Sequence, residues 1–363
     1  TAAAKVGETL ETSVEKLLPS TELTNYVMVG GIAGFADKKF ASFADADAEI
    51  NPELAKLCAK DALVQGVATA EAFDALFTNR DTNGNATLTY TIVGNVTYDE
   101  TELPCLLTMG RKASHYGNDR HLINFRFVGG RKDKTKDTLT VNSNITLPYE
   151  WWGEKTTTSI SFEDLTITGG PGSAKSGLYA TQAYFEGIDF KVDNCTLKGI
   201  KIYNCSNVGG SYTITNSTLD GTGAAKDAYA IHLQGNETAP LAITISGNEI
   251  SGYDRGINID QKTANATISS NTISIKDAGR SCIQLTQLAS TTVSENTLTL
   301  TGGNAFTLHN KLAAGSNITI SDNTITGNGY LIYDDTNNPI NLTYSTNTLT
   351  PTEGQKINTT QGV

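Results

Sequence analysis

The chain repeats a short pattern of apolar and polar positions along most of its length. An apolar residue is followed by Asn three positions later and by a second apolar residue five positions later. The copies are Ile245/Asn248/Ile250, Ile268/Asn271/Ile273, Val293/Asn296/Leu298, Ile320/Asn323/Ile325 and Tyr344/Asn347/Leu349. The Asn-to-Asn steps are 23, 25, 27 and 24 residues, and a period in this range is typical of a solenoid or a repeat array.

Alternation inside each unit indicates which kind of solenoid the chain forms. The stretch ITISGNEI alternates apolar and polar residues, breaks at a turn and alternates again, which predicts two short strands. A further strand is predicted between units at 199–204, 230–234, 256–260, 282–286, 305–309 and 330–334. Three earlier units keep the apolar pair without Asn: Ile214/Ser217/Leu219, Val192/Cys195/Leu197 and Phe162/Leu165/Ile167. A unit of strands without a helix excludes leucine-rich, ankyrin and armadillo repeats.

Strands of successive units must then pair in parallel, one coil above the next. Over about residues 85–363 the chain resembles the right-handed parallel β-helix of the pectin lyase-like superfamily. The right-handed winding is implied by that resemblance and by the general rule for crossover connections. We therefore predict an all-β, right-handed parallel β-helix for this part of the chain.

The repeated asparagines are interpreted as structural. Asn tolerates the left-handed backbone of a tight bend, and its amide can bond to the same residue one coil away, about 4.8 Å along the axis. A ladder is predicted along Asn248, Asn271, Asn296, Asn323 and Asn347. The N-x-Ser/Thr triplets that it creates are interpreted as by-products, not glycosylation sites.

The first 84 residues differ from the rest and are predicted to form a mainly helical cap. Residues 25–41 read as a pair of strands, and the Ala-rich stretch 40–79 has apolar residues at helical spacing. A β-helix needs its exposed strand edges covered. The stretch KKFASFADADAEI is similar to the lead-in of many exported bacterial β-helix proteins. The predicted division is a capping region at 1–84 and a β-helix at 85–363.

Charge and composition narrow the possible partners. Lys and Arg number 27 against 38 Asp and Glu, a formal charge of −11, so nucleic acid is not an expected partner. No apolar run is long enough to span a membrane, so no membrane insertion is expected. The basic segment 110–137 is interpreted as solvated loops or as an anion-binding patch. The start at Thr1 suggests a trimmed or mature form.

Several local motifs are assigned no cofactor or metal. The five cysteines, Cys58, Cys105, Cys195, Cys205 and Cys282, do not form a disulfide framework. The stretch GGPGSAKSG at 169–177 approaches a phosphate-binding loop but lacks a following helix. The stretch DTNGNAT at 81–87 lacks the closing Glu of a calcium loop and is read as a turn.

Aromatic residues at 149–152 are candidates for sugar contact. Tyr149, Trp151 and Trp152 lie in a segment that is too polar for a core. They are interpreted either as a plug on one side of the solenoid or as a platform on which sugar rings stack.

The strand between units supplies the main candidate surface. Its outward residues are predicted to form two columns, which are Lys201, His232, Asn258, Gln284 and Thr307, and Tyr203, Gln234, Asp260, Thr286, His309 and Asp334. In the resembled superfamily the outer face of this sheet commonly carries a polysaccharide cleft. The columns are polar and weakly charged, which suits the hydroxyl groups of a glycan. An ordinary solvated face is the alternative.

The sequence does not decide between catalysis and binding alone. The family's lyase and hydrolase signatures, which place carboxylates in close pairs, are absent. The nearest candidates are His232, Asp254, Arg255 and Asp260, with Arg280 also flanking the face.

The sequence therefore predicts an extracellular or cell-surface β-helix protein that binds a polysaccharide or glycan. The alternatives are a polysaccharide lyase or glycoside hydrolase with a non-standard site, and a structural stalk or adhesin module. The oligomeric state is left open.

Overall fold

The computed structural model describes residues 23–35, 38–46, 48–49, 78, 86–98, 123–142, 145–146, 157–169, 177–179, 187–205, 209–235, 241–353 and 357–362. From residue 86 onward the described chain winds as a parallel solenoid with three faces, here called A, B and C. Successive coils add one strand to each face, so every strand pairs with the equivalent strands of the coils before and after it. The predicted all-β solenoid is confirmed.

Face A is a 12-stranded sheet that begins with two antiparallel strands. In chain order its strands are β1 (Tyr26–Gly30), β2 (Lys39–Phe40), β3 (Ala86–Val93), β5 (Ile123–Gly129), β8 (Thr157–Glu163), β11 (Gly187–Asp193), β14 (Gly209–Thr215), β17 (Leu241–Ser246), β20 (Ala264–Ser269), β23 (Ser290–Ser294), β25 (Asn317–Ser321) and β27 (Asn341–Ser345).

Faces B and C together make a 17-stranded sheet, because two long strands run through both. The long strands are β24 (Thr297–Leu308) and β26 (Thr324–Asp334). Face B also holds β4 (Asn95–Tyr98), β6 (Thr138–Val141), β9 (Thr166–Gly169), β12 (Thr196–Lys198), β15 (Thr218–Asp220), β18 (Glu249–Ser251), β21 (Thr272–Ser274) and β28 (Thr348–Pro351).

Face C completes the coil and carries the strand predicted between units. Its remaining strands are β7 (Ile145–Thr146), β10 (Gly177–Tyr179), β13 (Lys201–Cys205), β16 (Tyr229–Gly235), β19 (Arg255–Gln261), β22 (Ser281–Gln287) and β29 (Ile357–Gly362). A 3-10 helix at Lys134–Lys136 precedes β6.

The interior is filled by like residues stacked along the axis. In the first coils these are aromatic: the ring centroids of Tyr90 and Phe127 are 4.9 Å apart, and those of Phe127 and Phe162 are 5.0 Å apart. In the later coils the stacked interior residues are Ile, Leu and Val, as in the pairing of Ile245 with Ile268. Strand alternation sends these residues inward, and burying each one stabilises the fold by roughly 1.5–3 kcal/mol.

The corner between faces A and B is held by the predicted asparagine ladder. The Nδ2 group of Asn248 donates to Oδ1 of Asn271 at 2.9 Å, and the same bond continues to Asn296 at 2.9 Å, to Asn323 at 2.9 Å and to Asn347 at 2.8 Å. The backbone N–H of Asn248 also donates to Asn271 Oδ1 at 3.0 Å. Each Oδ1 therefore accepts both bonds from the preceding coil, which satisfies polar groups that are buried.

The left-handed backbone does not fall on these asparagines, and that part of the prediction is wrong. It falls on the residue before each of them, which is Gly247, Ser270, Glu295, Asp322 or Thr346. The physical reason is that the ladder residue must turn its amide inward to reach the next coil. The residue before it makes the bend, and its side chain points to solvent. In two earlier coils Asn194 and Asn216 take this bending position.

The N-terminal end is covered by strands where the structure describes it. Strand β1 pairs in an antiparallel sense with β2 and with β3, so the predicted strand pair is present. The predicted mainly helical cap is not supported: residues 43–46 and 48–49 are helical, and residues 50–77 lie outside the described residues. The proposed boundary between residues 84 and 85 stays a prediction.

Two cysteines are described as free thiols inside the solenoid, Cys195 and Cys282. Burial raises the pKa of each thiol to about 12. Both therefore act as small apolar core residues.

Replacing Asn271 by Ala should lower the free energy of unfolding by about 1–3 kcal/mol. The substitution removes the acceptor for both the backbone N–H and the side-chain amide of Asn248. Urea unfolding would measure the loss. The matched control is Asn265→Ala, on the exposed side of strand β20 in the same coil, which should change the free energy by less than about 0.5 kcal/mol. Equal losses in the two variants would contradict a structural role for the ladder.

Candidate functional site

Strand pairing on face C fixes which outward side chains are neighbours. Ile202 pairs with Ile231 and Ile231 pairs with Ile257, so the inward isoleucines stack and set the register. The resulting central column consists of Tyr203, His232, Asn258, Gln284, Thr307 and Tyr333. The predicted column was wrong at one end, because Tyr203 and not Lys201 lies beside His232.

The second predicted column is also altered by the structure. Gln234 pairs with Asp260 as expected, but a register shift after Ile259 places Gln287 beside Asp260 in the next coil. Thr286 therefore does not join the column. It is 3% exposed, and its hydroxyl donates to Asn258 Oδ1 at 2.7 Å.

The far end of the second column departs from the prediction too. Asp334 pairs with the inward Leu308, and its carboxylate accepts hydrogen bonds from Thr336. His309 lies at the end of strand β24, where its backbone N–H donates to Leu285. The column therefore reaches Gln287 and does not continue to Asp334.

A groove of about 490 Å³ lies over the middle coils of face C. Its lining combines neutral hydrogen-bonding groups, tyrosines and charged groups from five successive coils. The lining residues are Tyr229, Arg255, Gly279, Arg280, Ser281, Gln284, Asn304, Thr307, His309, Tyr333 and Asp335. The groove is therefore open to a ligand that can use many hydrogen bonds.

One wall of the groove is a connected polar network. The Nη1 group of Arg255 donates to the hydroxyl of Tyr229 at 3.0 Å, and that hydroxyl donates to Oε1 of Gln284 at 3.2 Å. The Arg255 guanidinium also lies 5.0 Å from the centre of the Tyr229 ring, in a cation–π contact. These bonds hold three side chains of three coils in fixed positions.

An ion pair anchors both arginines from the side. Asp227 accepts from Arg280 at 3.0 Å and from Arg255 at 3.4 Å. Desolvation acts to raise the pKa of Asp227, and hydrogen bonds from Arg280 and Arg255 outweigh it and lower the pKa. Asp227 therefore stays ionised and orients the two guanidinium groups.

His232 sits between two tyrosines. Its ring lies 5.3 Å from that of Tyr203 and 4.9 Å from that of Tyr229. Burial lowers the pKa of His232, the nearby carboxylate of Asp260 opposes this, and the charges of Lys201 and Arg255 add to the lowering. Its buried Nε2 atom makes no hydrogen bond with any described residue.

The four residues considered for catalysis do not form one site. Asp254 is 8% exposed and belongs to a turn, where it accepts from the backbone N–H of Asp227 at 2.5 Å and pairs with Lys276 at 3.3 Å. Asp260 accepts from Gln287 at 2.7 Å on the adjacent column. Arg255 lines the groove, whereas His232 lies beside it.

The sequence missed several groove residues: Tyr229, Ser281, Asn304, Tyr333 and Asp335. Tyr229 and Ser281 are the first residues of strands β16 and β22, one position before the strands predicted at 230–234 and 282–286. An alignment that stacks the inward isoleucines before assigning columns would have found both.

Two other features predicted from the sequence are the aromatic residues at 149–152 and the basic segment 110–137. Tyr149, Trp151 and Trp152 lie outside the described residues, so their contact with sugars stays a prediction. In the basic segment 110–137, Arg126 pairs with Glu163 at 2.8 Å and Arg131 with Asp137 at 2.6 Å. Both arginines are thus engaged within the protein.

Within the part of the chain that the structure describes, no cluster of three or more His, Cys, Asp or Glu side chains is placed to hold a metal ion. None of the helices in that part has the length and apolarity needed to cross a bilayer.

Comparison with known protein families supports the right-handed winding of the coils. A family model described as a right-handed β-helix region matches residues 198–362, which include the asparagine ladder and every residue that lines the groove. Within residues 198–362, the described chain is a right-handed parallel β-helix. This family is consistent with the resemblance to the pectin lyase-like superfamily. Neither curated proteins nor solved structures give a significant match to this β-helix.

The lowered pKa of His232 predicts a pH-dependent stability. Its folded-state pKa lies below the ordinary value of 6.5, so the unfolded chain takes up the proton first as the pH falls. Stability that is present above about pH 6.5 should therefore decrease below it, by at most about 1.4 kcal/mol per pH unit for one proton.

Comparing the native protein with His232→Gln isolates this contribution from that of the carboxylates. Urea unfolding between about pH 5 and about pH 8 should show a steeper acid loss in the native β-helix than in the variant. Parallel curves for the two proteins would show that His232 is not held neutral by its surroundings.

Proposed function

We propose that this β-helix binds a polysaccharide or glycan in the groove on face C. The observation that carries the proposal is the groove itself, whose lining spans five successive coils and is dominated by hydrogen-bonding side chains. A polymer with regularly spaced hydroxyl groups can contact equivalent positions of coil after coil, since the coils repeat about every 4.8 Å.

The neutral groups of the groove suit sugar hydroxyls. Gln284 and Asn304 each offer amide donors and a carbonyl acceptor, so they can pair with either side of a hydroxyl group. Ser281 and Thr307 share a hydrogen bond of 2.5 Å at the groove floor and keep further capacity. Tyr229 and Tyr333 add ring faces on which an apolar sugar face can rest.

The arginines favour a glycan that carries acidic groups. Arg255 and Arg280 both line the groove, and a guanidinium has five N–H donors, of which the pairs with Asp227 and Tyr229 use only part. A carboxylate or sulfate on the sugar would meet donors that are already oriented, which lowers the entropy lost on binding.

A second candidate, cleavage of the bound glycan, is favoured by two further lining residues. His309 accepts a hydrogen bond at Nδ1 from the backbone N–H of Lys311 at 3.2 Å, so its neutral form carries the proton on Nε2. Asp335 supplies a carboxylate in the same groove. An imidazole and a carboxylate are two side-chain types that act in general acid–base cleavage of a polysaccharide.

An extracellular or cell-surface location is proposed together with the ligand, since polysaccharides of this kind are encountered outside the cell. A structural stalk without a ligand is the remaining alternative, and the experiment below separates it from the other two.

Binding should first be sought on a glycan array that includes acidic polysaccharides, and then quantified by calorimetry. Asn304→Ala and Tyr333→Ala should each weaken binding by about tenfold, because each removes one groove contact worth about 1.4 kcal/mol. Thr244→Ala on face A is the matched control and should bind like the native protein.

Incubation of the bound glycan with the native protein then tests cleavage through new reducing ends or unsaturated products. Absence of binding to every glycan would contradict the proposal and favour the stalk. Binding that is equally strong in the groove variants and the control would place the site elsewhere.

A further inference from the structure

The outer surface of face A carries a regular array of hydroxyl groups. Strand pairing aligns one threonine of each coil into a single column, which is Thr213, Thr244, Thr267, Thr292, Thr319 and Thr343. Two positions further along each strand a second hydroxyl column runs beside it, which is Thr215, Ser246, Ser269, Ser294, Ser321 and Ser345.

The array is a two-dimensional lattice with nearly constant spacing. Neighbouring strands lie about 4.8 Å apart and alternate residues of a strand about 6.7 Å apart. From β14 to β27 the pairing of face A contains no register shift, whereas the pairings β19–β22 and β24–β26 of face C both contain one. With the third column, which begins at Ser211, the patch measures about 24 Å along the axis and about 13 Å across.

The array is also free of charge, unlike the earlier coils of the same sheet. In those coils the outward positions hold ion pairs, including Arg126 with Glu163 and Lys191 with Asp193. From β14 to β27 the outward residues are only Thr, Ser, Asn and one Ala, Ala242. Strand propensity explains threonine on a solvated face, but it does not explain the loss of every charge over six coils.

The threonine hydroxyls in the centre of the array are available to an outside partner. The structure shows no side-chain hydrogen bond for the hydroxyls of Thr244, Thr267, Thr292 or Thr343, and all four residues are exposed. Threonine is stiff at its first side-chain torsion, so these hydroxyl and methyl groups hold their positions with little loss of entropy on binding.

We propose that this patch of face A binds the surface of ice. A partner for it must be uncharged, hydrogen-bonding and itself periodic, because the outward positions carry evenly spaced hydroxyl groups and no ionic group. Aromatic rings, which a flat sugar surface would be expected to contact, do not occur at its outward positions. Crystalline water presents oxygen atoms at a repeat of comparable length, and water molecules already ordered by the fixed hydroxyls can join that lattice.

The activity is tested directly on the native protein. Nanolitre osmometry should show a gap between the freezing and melting temperatures of a single ice crystal. Frozen sucrose solutions containing the protein should coarsen more slowly than solutions containing albumin. If the native protein neither produces a gap nor slows coarsening, the proposal is overturned.

A pair of matched variants tests the assignment to face A. Thr267→Tyr raises a ring above the centre of the patch and should remove most of the freezing gap. Thr297→Tyr places the same ring at an exposed position on strand β24 of face B and should keep it. Equal gaps in the two variants, or a loss confined to Thr297→Tyr, would overturn the assignment to face A.

Two further measurements separate this activity from misfolding and from glycan binding. The urea midpoint of each variant should match that of the native protein, and Thr292→Tyr replaces Thr267→Tyr if the latter unfolds. Asn304→Ala in the face C groove should keep the full freezing gap. A gap that is lost in Asn304→Ala would show that ice contacts the groove and would contradict the proposal.

Discussion

The structure depends on axial stacking of equivalent residues between coils. Each strand pairs with the strands of the coils before and after it, so a side chain at one position meets its counterpart about 4.8 Å away. Apolar side chains at equivalent positions bury one another, and asparagines at equivalent positions satisfy one another's hydrogen-bonding groups. The ladder from Asn248 to Asn347 shows the constraint most directly, because each amide inside it accepts a hydrogen bond from the coil before and donates one to the coil after.

The same constraint gives the two outer surfaces their different characters. From β14 to β27 the strands of face A stay in register, and outward Thr, Ser and Asn residues produce an even, uncharged lattice. On face C the register shifts after Ile259 and between Thr301 and Asn304, which breaks the columns and brings side chains of different types together. Face A, where side chains stack evenly, thus suits a partner that is itself periodic. Face C, where the stacking is interrupted, has a groove lined by side chains of different types.

Close approach of the backbone beside the groove requires glycine at two positions. A Cβ atom at Gly256 would lie 2.1 Å from the carbonyl oxygen of Cys282, and one at Gly303 would lie 1.9 Å from that of Arg280. These glycines let the backbone at Arg280 and Cys282 lie against the neighbouring coils. Arg280 can then reach Asp227, which comes from a turn two coils earlier.

The sequence by itself determined the solenoid, the pairing direction of its strands and the line of asparagines. These follow from short-range periodicity, in which apolar residues recur at strand spacing and one polar residue recurs at each bend. Only the tertiary structure decided which outward residues are neighbours, that Tyr203 and not Lys201 lies beside His232, and that Thr286 is buried. The physical reason is that coils differ in length and strands contain bulges. Register is then set by the stacking of inward side chains from distant parts of the chain, which the local pattern does not encode.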